Sequence, residues 1–172
     1  MKRLLIISST KKSNLDLSIK IKNFIKTKDV FNCEVVSLED FELPLYTPTL
    51  EAKYKTDNSF PNSITKIKDL ICSSNAMIWC SPEYNGGISP IVTNAIAWIS
   101  RATKDWKEGF DKKNSLICTS SGGNGKNYVQ GFSMQLNYLG SIVFEKSIIK
   151  TSSKDCDDKE FTDILNDFCS NI

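Results

Sequence analysis

Apolar residues fall along this chain in short bursts whose spacing switches between that of a strand and that of a helix. Leu4-Leu5-Ile6-Ile7 is a continuous apolar run that ends in Ser8-Ser9-Thr10, and it predicts a buried strand. Leu17, Ile21, Phe24 and Ile25 then recur at helical spacing, and Cys33-Glu34-Val35-Val36-Ser37-Leu38 predicts a second strand. An irregular stretch follows, with Pro44, Pro48 and Pro61 as breakers. Ile64, Ile67, Leu70 and Ile71 mark a helix leading into a third strand, Ala76-Met77-Ile78-Trp79-Cys80. A largely apolar helix over 90–102 comes next, opened by Ser89 as N-cap and Pro90 at its first position. A polar loop through Trp106 and Gly109 leads to the strand Ser115-Leu116-Ile117-Cys118, and Trp106 and Phe110 are read as a satellite packing cluster. Val129, Phe132, Leu136 and Leu139 form a further helical stripe, 141–149 a fifth strand, and Phe161, Ile164, Leu165 and Phe168 the last helix. Acidic residues from Asp155 to Glu160 supply the negative charge that favours that helix's N-terminus.

Five strands alternating with helices predict an α/β fold with a parallel sheet and right-handed crossovers. Both the flavodoxin-like and the half-Rossmann arrangements fit that pattern. No repeat, low-complexity tract or linker divides the chain, so residues 1–172 are expected to form a single domain.

Composition narrows the chemistry. A net charge of +2 with scattered basic residues points away from nucleic acid and from a strongly acidic electron carrier. No charged leader precedes an apolar run and no stretch has membrane-spanning length, so the expectation is a soluble cytoplasmic protein with no membrane contact. Cys33, Cys72, Cys80 and Cys118 sit inside predicted elements with no Cys-x-x-Cys pair, and are read as reduced, buried thiols. The chain has no histidine, which removes histidine metal sites, histidine triads and histidine base catalysis. No metal and no catalytic side chain are expected, and the chemistry falls to a cofactor.

In an open parallel sheet, ligands bind at the carboxyl ends of the strands. Three loops open there. The first, Ser8 to Asn14, precedes a helix. It serves either as a cap, through Ser13 or Asn14, or as a phosphate cradle of hydroxyls, a lysine and free helix N–H groups. It lacks both the dinucleotide-binding glycine pattern and the phosphate-loop Gly-Lys-Ser/Thr. The second, Ser81-Pro82-Glu83-Tyr84-Asn85-Gly86-Gly87-Ile88-Ser89, is either a strand-to-helix turn or a seat for a flat heterocycle, with Tyr84 to stack and Asn85 to hydrogen-bond. The third, Ser120-Ser121-Gly122-Gly123-Asn124-Gly125, is either a flexible connection or a nest of N–H groups around a polar ring edge.

The Pro82-Glu83-Tyr84-Asn85 turn resembles the PEYN signature of the NAD(P)H-dependent FMN reductase family, flavodoxin relatives that include quinone, azo-dye and chromate reductases. The likeness continues through Asn94-Ala95-Ile96 and Trp98, although Ser89-Pro90, Thr93 and Ala97 depart from the usual Pro-Gly, Lys and Asp. The first loop is similar to the family's Gly-Ser-x-Arg followed by Ser and Asn, with Ser8 in place of glycine and Lys11 in place of arginine. Pro44-Leu45-Tyr46, Leu50-Glu51, Gln130 and Leu139-Gly140 extend the match to about Val143. The resemblance implies a flavodoxin-like three-layer sandwich, with a five-stranded parallel sheet in the order 2-1-3-4-5 and helices on both faces. It also implies FMN and NAD(P)H as cofactors. Ser9, Lys11, Ser13 and Asn14 are then candidates for the phosphate, Pro82, Glu83, Tyr84, Asn85 and Gly86 for the flavin seat, and Ser121, Gly122 and Gly123 for the ring edge.

Two functions follow. One is an FMN-dependent NAD(P)H oxidoreductase that passes hydride to a small acceptor: free flavin, a quinone, an azo compound or a metal oxyanion. The other is a flavodoxin-type electron carrier between protein partners. Ile91, Val92, Ala95, Ile96, Trp98 and Ile99 spread apolar surface nearly all around the 90–102 helix, which predicts a homodimer or homotetramer through that helix.

Overall fold

Residues 1–153 and 157–172 are described by a computed structural model. Lys2–Ser8 (β1), Phe31–Ser37 (β2), Ala76–Cys80 (β3) and Asn114–Ser121 (β4) lie parallel in the order β2-β1-β3-β4. The strand beyond β4 arrives in two pieces, Ile142–Val143 (β5) and Ile148–Thr151 (β6), both parallel to β4. The sheet is therefore ordered 2-1-3-4-5 as expected, but the fifth position is broken over 144–147. There Phe144 turns its ring edge-on to Phe168 (centroids 5.6 Å apart) and Lys146 pairs with Asp167 (2.7 Å), so the side chains leave the pleat.

Alternation along the strands sorts the core into two layers. Leu5, Ile7, Met77, Trp79 and Ile117 face Asn62–Ser73 (α3), Pro90–Ala102 (α4) and Lys126–Tyr138 (α5). Leu4, Ile6, Ile78, Cys80, Leu116 and Cys118 face Ser13–Lys26 (α1) and Asp158–Ser170 (α6). The result is a flavodoxin-like three-layer sandwich. Phe110 is not part of a satellite cluster: it is fully buried and stacks on Trp79 (6.5 Å), whereas Trp106 lies at the surface against Tyr138 (5.3 Å).

The stretch after β2 is more ordered than its prolines suggest. Leu38–Phe41 is a 3-10 turn, and Pro48–Thr56 (α2) is a helix with Pro48 at its first position and the Thr47 hydroxyl accepting from Leu50 N–H (3.2 Å). This segment covers α4. Trp98 is fully buried among Tyr46, Tyr54 and Phe60, with centroids 5.1, 5.6 and 6.5 Å away. Its indole N–H donates to the Pro44 carbonyl (2.6 Å), and Asn94 clasps the same loop through Pro44 O (3.0 Å) and Tyr46 N–H (2.8 Å). The surplus apolar surface of α4, expected to meet another subunit, is thus covered within the chain. One capping expectation shifts and another holds over the described residues. The Ser89 hydroxyl makes no cap bond to α4. At α6, Asp157 caps through Lys159 N–H (2.7 Å), with Asp158 and Glu160 in the first turn, while Asp155 lies outside the described residues.

Candidate functional site

The carboxyl edge of the sheet is stitched together by its own strands and by two side chains. The ladder runs on into the loops, with Ser9 N–H donating to Cys80 O (2.9 Å) and Ser81 N–H to Cys118 O (3.1 Å). Asn14, in the first turn of α1, donates through Nδ2 to Ser120 O and accepts from Ser120 N–H at Oδ1, both at 2.9 Å. Its amide is therefore committed to joining the first loop to the third. Glu83 joins the second loop to the third. Its Oε2 accepts from the N–H groups of Asn127 (3.0 Å) and Tyr128 (3.2 Å) at the start of α5, and its own N–H donates to Ser121 Oγ (2.7 Å). Ser121 in turn shares a hydrogen bond with Thr119 Oγ1 (2.7 Å).

Within the second loop, Tyr84 and Gly87 exchange both backbone hydrogen bonds (3.1 and 2.9 Å) around Asn85 and Gly86, whose φ values are 49° and 70°. Two central residues with positive φ define a type I′ turn, for which Asn-Gly is the preferred pair. The turn leaves the Asn85 and Gly86 amides outside its two bonds and holds the Tyr84 ring half exposed, at 50%. In the third loop, Gly125 has φ 70° and a Cβ there would stand 2.7 Å from Thr119 Cγ2, so only glycine fits. Gly122 differs, since a Cβ there would meet nothing within 4 Å.

These loops border a cleft of about 600 Å³, within the roughly 300–1,000 Å³ usual for small-molecule sites. Of the expected residues, Ser13, Asn14, Pro82, Glu83, Tyr84, Ser121 and Gly122 line it, joined by Thr10, Lys12 and Ser120. Ser9, Lys11, Asn85, Gly86 and Gly123 stand back from the wall. Ser9 is 1% exposed and its hydroxyl has no hydrogen-bond partner. Lys11 turns instead to an ion pair with Asp40, which holds its ammonium above the usual lysine range, and its N–H donates to Glu39 Oε1 (3.2 Å). The N-terminus of α1 has no side-chain cap, and its first two residues, Ser13 and Asn14, line the cleft.

Four lining residues escaped the sequence reading: Glu39, Lys150, Thr151 and Ser152. The signal was available. The rule that selected three loops, that all carboxyl ends of a parallel sheet open on one edge, also selects the loops after β2 and after the last strand. The loop after β6 is tied in by Ser152 Oγ donating to Gly122 O (2.9 Å). Among the described residues no cluster of His, Cys, Asp and Glu could hold a metal ion, and no helix is long and apolar enough to cross a membrane.

With this geometry, the chain matches a model of the NADPH-dependent FMN reductase family over residues 1–154. It is similar to the NADPH:quinone oxidoreductase of Arabidopsis thaliana, 27% identical over 112 residues, which cover 62% of this chain and 56% of that protein. The chain spans about half the length, or less, of the curated relatives it matches. Among solved structures, FerB, a flavoenzyme NAD(P)H:(acceptor) oxidoreductase of Paracoccus denitrificans, superposes with a TM-score of 0.73 at 19% identity, covering 99% of this chain and 94% of that one. A flavodoxin from the domain Archaea superposes with a TM-score of 0.64 at 14% identity, covering 99% and 98%. At those identities the two structures speak to the fold. The family match over 1–154 carries membership, and the chain belongs to the NADPH-dependent FMN reductase family.

Proposed function

We propose that residues 1–172 form a single FMN-binding domain acting as a cytoplasmic NAD(P)H oxidoreductase, with a free flavin, quinone, azo compound or metal oxyanion as acceptor. The observation that carries this reading is the cleft itself, bordered by a helix start with no side-chain cap and by a half-exposed tyrosine on a type I′ turn. Three features suit a phosphorylated flavin. The open start of α1 and the unpartnered Ser9 hydroxyl suit a phosphate, and the empty space above Gly122 suits close approach of a ring to backbone.

FMN, when bound, supplies the hydride chemistry. In this reading Ser9 and Ser13 hold the phosphate. Pro82 and Tyr84 border the ring, with Tyr84 left open enough to meet nicotinamide or acceptor. The amide of Gly122, with those of Asn85, Gly86 and Gly123 behind the wall, would supply donors for its polar edge, where negative charge grows on reduction. Asn14, Glu83 and Ser121 position the three loops rather than touch the reacting atoms. Both cleft carboxylates, Glu39 and Glu83, already accept backbone N–H groups, so neither is assigned as an acid or base.

Steady-state oxidation of NADH or NADPH by the FMN-loaded protein, with a quinone as acceptor, tests the proposal. Turnover supports it. Tight FMN binding without turnover supports the carrier alternative.

A further inference from the structure

The phosphate end of the cleft needs positive charge, and the lysine that the first-loop resemblance nominates does not line it. Lys11 is ion-paired to Asp40 and does not line the cleft. Two other lysines do: Lys12, the residue before the first turn of α1, and Lys150 on β6.

The position of Lys150 follows from sheet register. It pairs with Ser120 across β4 and β6, and in-register residues of neighbouring parallel strands stand about 4.8 Å apart with side chains on the same face. Ser120 is the residue whose backbone is clasped from both sides by Asn14 in the first turn of α1. Ile148, two residues earlier on β6, packs into the core layer beneath α1 and α6, so Lys150 belongs to the same face. Lys150 thus stands one strand spacing from the residue bonded to the helix start. The fixed negative charges of the cleft oppose a phosphate less than their count suggests, because Glu39 and Glu83 each accept backbone N–H groups.

We infer that Lys150, together with Lys12, supplies the cationic side of the FMN phosphate site, and that Lys11 serves to brace the first loop against the 3-10 turn after β2. The inference rests on the FMN reading above. It assigns a phosphate contact to the last strand, outside the three loops.

Separate titrations of FMN and riboflavin, by flavin fluorescence quenching, test it on the full-length protein and on Lys150→Ala, Lys12→Ala and Lys11→Ala. The ratio of the two affinities isolates the phosphate. Lys150→Ala and Lys12→Ala should each lower the FMN preference by about two- to fivefold, the range expected of a partly exposed charge pair, with riboflavin affinity unchanged. Lys150→Arg should restore it, and Lys11→Ala should leave the ratio as in the wild type. A wild type that prefers FMN, with the preference kept in Lys150→Ala and lost in Lys11→Ala, overturns the inference and leaves the proposed function standing. Equal loss of FMN and riboflavin affinity in Lys150→Ala also overturns it, since that marks a structural role. A wild type with no preference for FMN removes the phosphate site altogether, and with it both readings.

Discussion

Asn85 and Gly86 show how one short motif serves two ends. Read from sequence, Tyr84-Asn85-Gly86-Gly87 is a ligand seat or a turn; in the fold it is a type I′ turn whose bent backbone turns two amides out of its own hydrogen bonds. Asn85→Gly keeps the positive φ, so it should leave the apo melting temperature unchanged and hold FMN affinity within about twofold. Asn85→Ala should lose about 1–2 kcal/mol of stability, because alanine resists the left-handed region. A large loss of FMN affinity in Asn85→Gly would instead assign the binding to the side chain. The glycines of the third loop divide in the same way. Gly125→Ala should destabilise the apo protein by about 1–3 kcal/mol through its clash with Thr119 and its φ of 70°. Gly122→Ala should leave apo stability alone and weaken FMN, because its methyl group would project into open space beside the cleft. Thermal melts and flavin titrations on both variants read the contrast. That Gly122 and Gly125 differ was invisible in the sequence, where they are two glycines of one loop. The distance to Thr119 and the positive φ of Gly125 separate them.

At the scale of elements, apolar spacing located every major strand and helix except α2, and the exception has a physical cause. Pro48 breaks a helix at its interior but starts one when Thr47 precedes it as a cap. Without α2 in the sequence pattern, Trp98 has no partner within the chain and α4 reads as a subunit interface. With Tyr46, Tyr54 and Phe60 in place, Trp98→Ala should cost about 3–5 kcal/mol by emptying a packed aromatic site, and it also removes one of the two donors to the Pro44 carbonyl, leaving that of Asn94. Chemical denaturation measures this loss. A stable variant with altered oligomeric mass in light scattering would return α4 to the role of an interface. Partial burial also marks Cys33, whose thiol is pushed up to about 11. Between the unfolded value near 9 and that folded value, the unfolded chain gives up its proton first, so this group's contribution to stability falls as pH rises through the window.

At the scale of the molecule, the sheet order and the edge that carries the site were legible, because strand–helix alternation and carboxyl-edge loops follow from chirality and crossover length. The stitching of that edge was not. Asn14 to Ser120, and Glu83 to the start of α5, join residues far apart in sequence, and nothing local in those residues announces the pairing. Lys150 was within reach of the carboxyl-edge rule, since the last strand ends at that edge and its final residues line the cleft. The central claim is that this edge holds FMN so that a pyridine nucleotide can reduce it and a small acceptor can reoxidise it. The most direct measurement is anaerobic mixing of the FMN-loaded protein with one equivalent of NADH or NADPH while the visible flavin absorption is followed. The account predicts bleaching with at least one nucleotide and full recovery on adding a quinone. Bound flavin that keeps its colour with both nucleotides, yet bleaches with dithionite, would contradict it and leave a carrier.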